Sequence, residues 1–214
     1  MDYEICTVSA RTKSAPVEAA PSDRRLARSA ATRAKVVEAM LQLLEAGEPR
    51  PTAPRIAALA GVSLRSVFQH FADLEALFAA AADRQTERLA ALLQPLPTSG
   101  SVAERAAALA AQRARVYEVA APVRRAALLQ EPHSAEIARR LGAFRAAMRN
   151  DVARLFTAEL RPMPAGARRE LVAALAAATS FSMWNTLRSH QGLSAAAARA
   201  VVARTLRALL LPPR

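Results

Sequence analysis

The chain has 214 residues, enough for one domain with a sizeable core or for a small domain joined to a larger one. Hydrophobic residues make up 52% and charged residues 22%, which excludes a largely disordered chain, and Ala, Leu and Arg abound while long Val/Ile/Thr alternations are lacking. The formal charge of +12 suits a polyanionic partner, yet residues 1–80 hold 10 basic against 9 acidic side chains, so the excess lies beyond them and is expected to be a solvated, Arg-rich surface.

Residues 1–22 mix Ser, Thr, Ala and Pro without apolar periodicity and are expected to form a mobile tail. A helical pattern follows, with Leu26, Ala30, Val36, Val37, Met40, Leu41 and Leu44 near one face. Gly47 closes it, and Pro49 and Pro51 prevent its continuation. Thr52 is the expected N-cap of a short helix from Ala53 to Gly61. A second short helix starts after Ser63 and runs to about Phe71, and Asp73 caps a longer one reaching about Leu93. Pro95, Pro97, Ser99 and Gly100 make the clearest break. Beyond it the pattern predicts helices near 102–119, 122–130, 134–160, 166–190 and 194–211, separated by Pro122, Pro132, Pro162/Pro164 and Gly192. The fold class is all-α.

The segment Thr52 to Phe71 carries the chemistry. Ala57 and Ala60 are small enough for two helices to cross closely, and Gly61 sits where a tight turn needs a left-handed backbone. Ser63 suits the open N–H groups of the next helix, and Val62 with Val67 fits a hydrophobic staple. Ile56, Leu59, Val62, Val67 and Phe71 are expected to form a small core. Leu64, Arg65, Ser66, Gln69 and His70 then face outward near a helix N-terminus, as a helix reading the major groove requires. Arg65 matches guanine and Gln69 adenine in bidentate contacts, whereas Ser63, Ser66 and His70 suit phosphates. Arg24, Arg25, Arg28 and Arg33 can neutralise phosphates or enter a minor groove.

Arg33 through Phe78, above all Ile56-Ala57, Ala60-Gly61-Val62-Ser63, Phe68-Gln69-His70-Phe71 and Glu75-Ala76-Leu77-Phe78, resembles the N-terminal domain of the TetR/AcrR family. The resemblance implies a DNA-reading three-helix domain over about 23–80 and a helical ligand-binding and dimerisation domain over 81–214. It implies that Thr52, Ser63 and His70 meet backbone phosphates and that Arg65, Ser66 and Gln69 face the groove. Two positions depart from the family pattern. Phe68 stands where a tyrosine hydroxyl usually meets DNA, and Leu74 where a lysine commonly meets a phosphate, which shifts the burden to Arg65, Arg55 and the N-terminal arginines.

The second half carries almost no motif. Its last two helices are expected to pair with their copies in a homodimer, Ala174, Ala178 and Ser182 allowing close approach and Leu171, Leu175 and Trp184 supplying buried area. Tyr117, Phe144, Met148, Phe181 and Met183 are candidate walls of an effector pocket between Val102 and Met183. The arginines of this half, Arg113, Arg115, Arg124, Arg125, Arg139, Arg140 and Arg145 among them, would favour an anionic effector, with a solvated surface as the preferred reading.

His70, His133 and His190 sit apart, and the lone Cys6 supports neither a disulfide nor a cysteine zinc site, so no catalytic residue, metal or cofactor is expected; His133 and Glu131 are expected to form a loop pair. Leu171 to Leu187 is uncharged but polar in places and short for a membrane span. The start, Met1-Asp2-Tyr3-Glu4, lacks a secretion signal's basic and apolar stretch, which places the expected protein in the cytoplasm. The expected partners are palindromic double-stranded DNA, a small-molecule effector that releases a repressor, and a second copy of the chain. The rivals are an activator or ligand-independent regulator with the same DNA domain, and a helical interaction module binding acidic partners.

Overall fold

A computed structural model describes residues 21–211, with side chains from Asp23 onward. Apart from Pro21 and Ser22, the expected tail lies outside the described residues, as does Cys6. The described chain is built of helices and their connections, with no strand. Four helices form the N-terminal part: α1 (Pro21–Glu45), α2 (Ala53–Ala60), α3 (Leu64–His70) and α4 (Leu74–Ala90). Six follow: α5 (Val102–Gln130), α6 (Ala135–Leu155), α7 (Thr157–Leu160), α8 (Ala165–Ala178), α9 (Phe181–Asn185) and α10 (Ala195–Leu210). A 3-10 turn, Glu131–His133, joins α5 to α6, and a π turn, Thr186–His190, continues α9.

Two apolar cores organise them. The first gathers Val36, Met40 and Leu44 of α1 with Ile56, Val67, Phe71, Leu77 and Phe78. It extends without a break to Val123 and Ala126 of α5 and Ile137 and Leu141 of α6. Seven residues are too few to hold α3 as an isolated helix, so buried Val67 and Phe71 fix it through this core. The second core joins Leu109, Val116 and Tyr117 of α5 to Val152, Leu175, Trp184, Val202 and Leu206. Arg88 of α4 places both Glu38 carboxylate oxygens 2.6 Å from its Nη2 and donates to Glu45 at 3.2 Å, fastening α4 to α1.

Several expectations give way to packing. Leu26 is 68% exposed and Ala30 is exposed as well, because burial on α1 begins only at Val36 and the earlier turns have no core to face. Leu59 is 48% exposed, since the inward stripe of α2 runs through Ala53, Ile56, Ala57 and Ala60. Pro122 does not end a helix: α5 passes through it, losing one amide donor while Ala120, Val123 and Ala126 stay buried on either side. The expected 134–160 helix breaks at Phe156, where Arg105 of α5 donates to the buried Leu155 carbonyl at 2.7 Å and pairs with Glu159. The expected 166–190 helix breaks at Thr179, and Ser180 caps α9 by accepting from the Met183 amide. Glu131 pairs with Arg145, not with His133, because the guanidinium offers two donors to the carboxylate.

The arginines of the second half are only partly a solvated face. Arg105 and Arg113 are buried, Arg113 lying 3.4 Å from both the Met148 carbonyl and an Asp151 oxygen. Arg188 clasps Glu118 at 2.8 and 2.9 Å, and the same carboxylate accepts from Trp184 Nε1 at 3.0 Å. These bonds hold Glu118 below the usual carboxylate range, Arg188 contributing most.

Candidate nucleic-acid interface and effector cavity

Two helices with a sharp joint between them make the first site. At Gly61 the backbone turns left-handed (φ 66°), the Val62 amide reaches back to the Ala57 carbonyl at 3.0 Å, and the Gly61 amide reaches Ala58 at 3.2 Å. Two of the four carbonyls left free at the end of α2 are thereby satisfied within two residues of its stop. Ser63 then caps α3, its Oγ accepting from the Ser66 amide at 3.1 Å, and Asp73 caps α4 by accepting from Ala76 at 2.7 Å. Val62 and Val67 meet in the first core, as a staple requires. Thr52 takes the position before α2 but its side chain makes no capping bond.

This joint leaves one face of α3 open. Leu64, Arg65, Phe68 and Gln69 are exposed, Ser66 and His70 half-buried. Arg65 forms no ion pair among the described residues. Thr52 and Arg55 are exposed at the start of α2, Arg55 lying 3.6 Å from Glu48. Phe68 keeps nearly half its surface in solvent. Arg24, Arg25 and Arg28 are exposed on the first two turns of α1, Arg28 donating to the Arg24 carbonyl at 3.2 Å. Arg33, by contrast, stacks 4.9 Å from the Phe71 ring centroid. Leu74 stands exposed at the first position of α4.

The second site is a cavity of about 380 Å³ between α5, α6 and the α8–α9 break. Four of the five expected wall residues meet there: Tyr117, Phe144, Met148 and Phe181. Met183 does not; two residues past Phe181 is roughly 200° around a helix, and it packs against the second core instead. Tyr117 and Phe181 pack edge to face with centroids 5.6 Å apart. The Tyr117 hydroxyl donates to the Thr179 carbonyl at 2.8 Å, and burial pushes the phenol above its ordinary range.

Three arginines also line this cavity: Arg124, Arg145 and Arg149. Arg124 lies 3.7 Å from the Phe144 ring centroid, and burial brings its pKa down to about 10. Of these, only Arg149 lies outside the arginines that the sequence singles out in this half. With α5 continuous, Tyr117 and Arg124 are seven residues apart, hence on one face. Arg124, Leu141 and Phe144 also border a smaller apolar space closed by Phe78, Gln85 and Leu89 of α4.

Among the described residues no three His, Cys, Asp or Glu side chains gather as a metal site, and no helix is long and apolar enough to cross a membrane. No family model and no curated protein matches the sequence. Solved structures do match the fold. A transcriptional regulator from Rhodococcus sp. Rha1 superposes with a TM-score of 0.67 at 18% identity, over 83% of this chain and 95% of its own. A protein from Mesorhizobium loti MAFF303099, assigned to the TetR family of transcriptional regulators, gives 0.58 at 17% identity over 86% and 96%. The all-helical fold of these regulators is the fold of this chain.

Proposed function

We propose that the chain is a TetR-family transcriptional regulator: a homodimeric repressor of the cytoplasm whose α3 reads a palindromic site and whose C-terminal domain releases DNA on binding a small molecule. The observation that carries the reading is the capped, outward face of α3, where Arg65 and Gln69 stand exposed behind the Gly61 joint. A helix presented this way enters a major groove with its first turns against the base edges. Arg65, Ser66 and Gln69 take the base edges in this reading. Leu64 and Phe68 supply apolar contact, and Thr52, Arg55, Ser63, His70, Arg24, Arg25 and Arg28 meet the phosphates.

In this reading the DNA-binding domain spans about 23–80 and the regulatory domain 81–214. Helix α4 crosses that boundary, so it is the natural carrier of a signal. Asp83 pairs with Arg140 of α6, and Glu75 accepts from Ser134 at the start of α6. A ligand favouring one arrangement of α6 against α4 shifts the spacing of two recognition helices in a dimer. Leu175, Ala178 and Trp184, expected at the seam, are buried within the subunit, so pairing through α8 and α10 rests in this reading on exposed small residues, Ala173 and Ala177 on α8 and Ala196 and Ala200 on α10.

Selection of bound duplexes from a random pool tests the reading. A palindromic site with two half-sites is the expected result. Weak association that is steeply salt-dependent and blind to sequence would replace it with a basic interaction module.

A further inference from the structure

We infer that the cavity between α5 and α6 takes a small organic acid, its anionic group on the Arg124 guanidinium and its apolar body against Tyr117, Met148 and Phe181. The inference rests on the regulator reading, whose effector site this cavity would be, and it names the effector's chemical class. At about 380 Å³ the cavity falls at the low end of the size that encloses small ligands. No Asp or Glu is among its lining residues, although three arginines are. Arg145 is already neutralised by both oxygens of Glu131. Arg124 and Arg149 form no ion pair among the described residues.

Arg124 is the informative one. A guanidinium withdrawn from water normally has a carboxylate against it, because an uncompensated charge in a low-dielectric setting is costly. Arg124 has instead the face of Phe144 and, at longer range, the Glu131 carboxylate that Arg145 already holds, which leaves its in-plane N–H groups available. A carboxylate arriving in the plane of that guanidinium supplies a directly bonded counter-charge without displacing the ring. Arg149 adds a second cation on the same wall, and it also borders the open groove lined by Arg161, Arg168 and Arg169. That groove makes the neighbouring surface positive and raises the local concentration of anions. Met148, Phe144, Tyr117 and Phe181 give the rest of the ligand an apolar, partly aromatic bed.

The test is calorimetric titration of the full chain, without DNA, with phenylacetate and octanoate, each beside its neutral amide. At least one acid is expected to bind more tightly than its amide by about tenfold or more, the increment of one charge-assisted hydrogen-bonded pair. Arg124→Gln is expected to abolish that preference, and Arg124→Lys to keep part of it, with melting temperature monitoring the fold of each. Equal binding of acid and amide, binding of neither acid, or an acid preference that survives Arg124→Gln in a folded variant would each overturn the inference. The acid-to-amide ratio in the unaltered chain decides even where a variant fails to fold. Because DNA is absent, an acid that binds alongside a failed duplex selection would sink the regulator reading and leave the anion site standing. A successful selection with no acid binding would do the reverse.

Discussion

The Tyr117 hydroxyl donates a 2.8 Å hydrogen bond to the Thr179 carbonyl, joining the middle of α5 to the break between α8 and α9. Both residues are buried, so the bond satisfies a carbonyl that the ended helix leaves without an amide and water does not reach. It also fixes the ring of Tyr117 against Phe181 in the cavity wall. Tyr117→Phe keeps the ring and removes only this donor. It is expected to cost about 1–2 kcal/mol, read as a lowered urea midpoint at unchanged slope. An unchanged midpoint would mean that the Thr179 carbonyl finds another donor.

Arg105 is expected to be among the most sensitive positions in the second half. Its side chain is 5% exposed, bonded to the Leu155 carbonyl and Glu159 and stacked 5.4 Å from the Phe156 centroid. Arg105→Ala strands a carbonyl and a carboxylate where α6 meets α7, for an expected loss of about 3 kcal/mol in chemical denaturation. A loss no larger than that of an exposed arginine, such as Arg154→Ala, would show that the break at Phe156 holds without it.

Gly61 gives a cleaner backbone test. A Cβ there would meet nothing within 4 Å, so Gly61→Ala introduces conformational strain at φ 66° and no clash. The expected cost is about 1 kcal/mol. Ser63→Ala removes the cap of α3 for a similar ~1 kcal/mol. Amide hydrogen exchange should show faster opening of α3 in both variants. Exchange unchanged in α3 would mean that Val67 and Phe71 hold the helix regardless of its ends.

Acid should weaken the second half before neutral pH changes matter. Glu118 is held below the ordinary carboxylate value of 4.5, first by the Arg188 hydrogen bonds, and Glu159 below the same value, first by its bonds with Arg105. Carboxylates depressed in the folded chain contribute stability that is whole above 4.5 and is lost as pH falls through their lower folded values. Melting temperature is therefore expected to be level above pH 5 and to fall below about 4.5. Glu118→Gln should flatten that fall while lowering the neutral-pH plateau. A parallel acid limb in the variant would remove Glu118 from the account.

The joint at α2–α3 was legible in the sequence because its signals act over three or four residues: Gly61 for the left-handed turn, Ser63 and Asp73 for the caps, Val62 and Val67 for the staple. The first core was legible from Val36 to Leu44 for the same reason. Beyond Leu93 the deciding interactions join residues far apart in the chain. Arg105 meets Glu159 and Tyr117 meets Thr179, and nothing in the local pattern announces either break. Pro122 misled in the opposite direction, since tertiary packing carries α5 through a residue that disfavours helix. With α5 carried through Pro122, Tyr117 and Arg124 share one helix face, a relationship that a helix end at Pro122 does not give. Met183, two residues beyond Phe181, packs against the second core and does not line the cavity.

The affinity of the unaltered chain and of Arg65→Ala, measured by fluorescence anisotropy on one selected palindrome and on a scrambled duplex at the same salt, tests the central claim most directly. The account predicts that the unaltered chain prefers the palindrome. It predicts that Arg65→Ala loses about 1–3 kcal/mol of that preference per half-site while its weak binding to the scrambled duplex changes little. Equal affinity of the two proteins for the palindrome, or no preference in the unaltered chain, would contradict it.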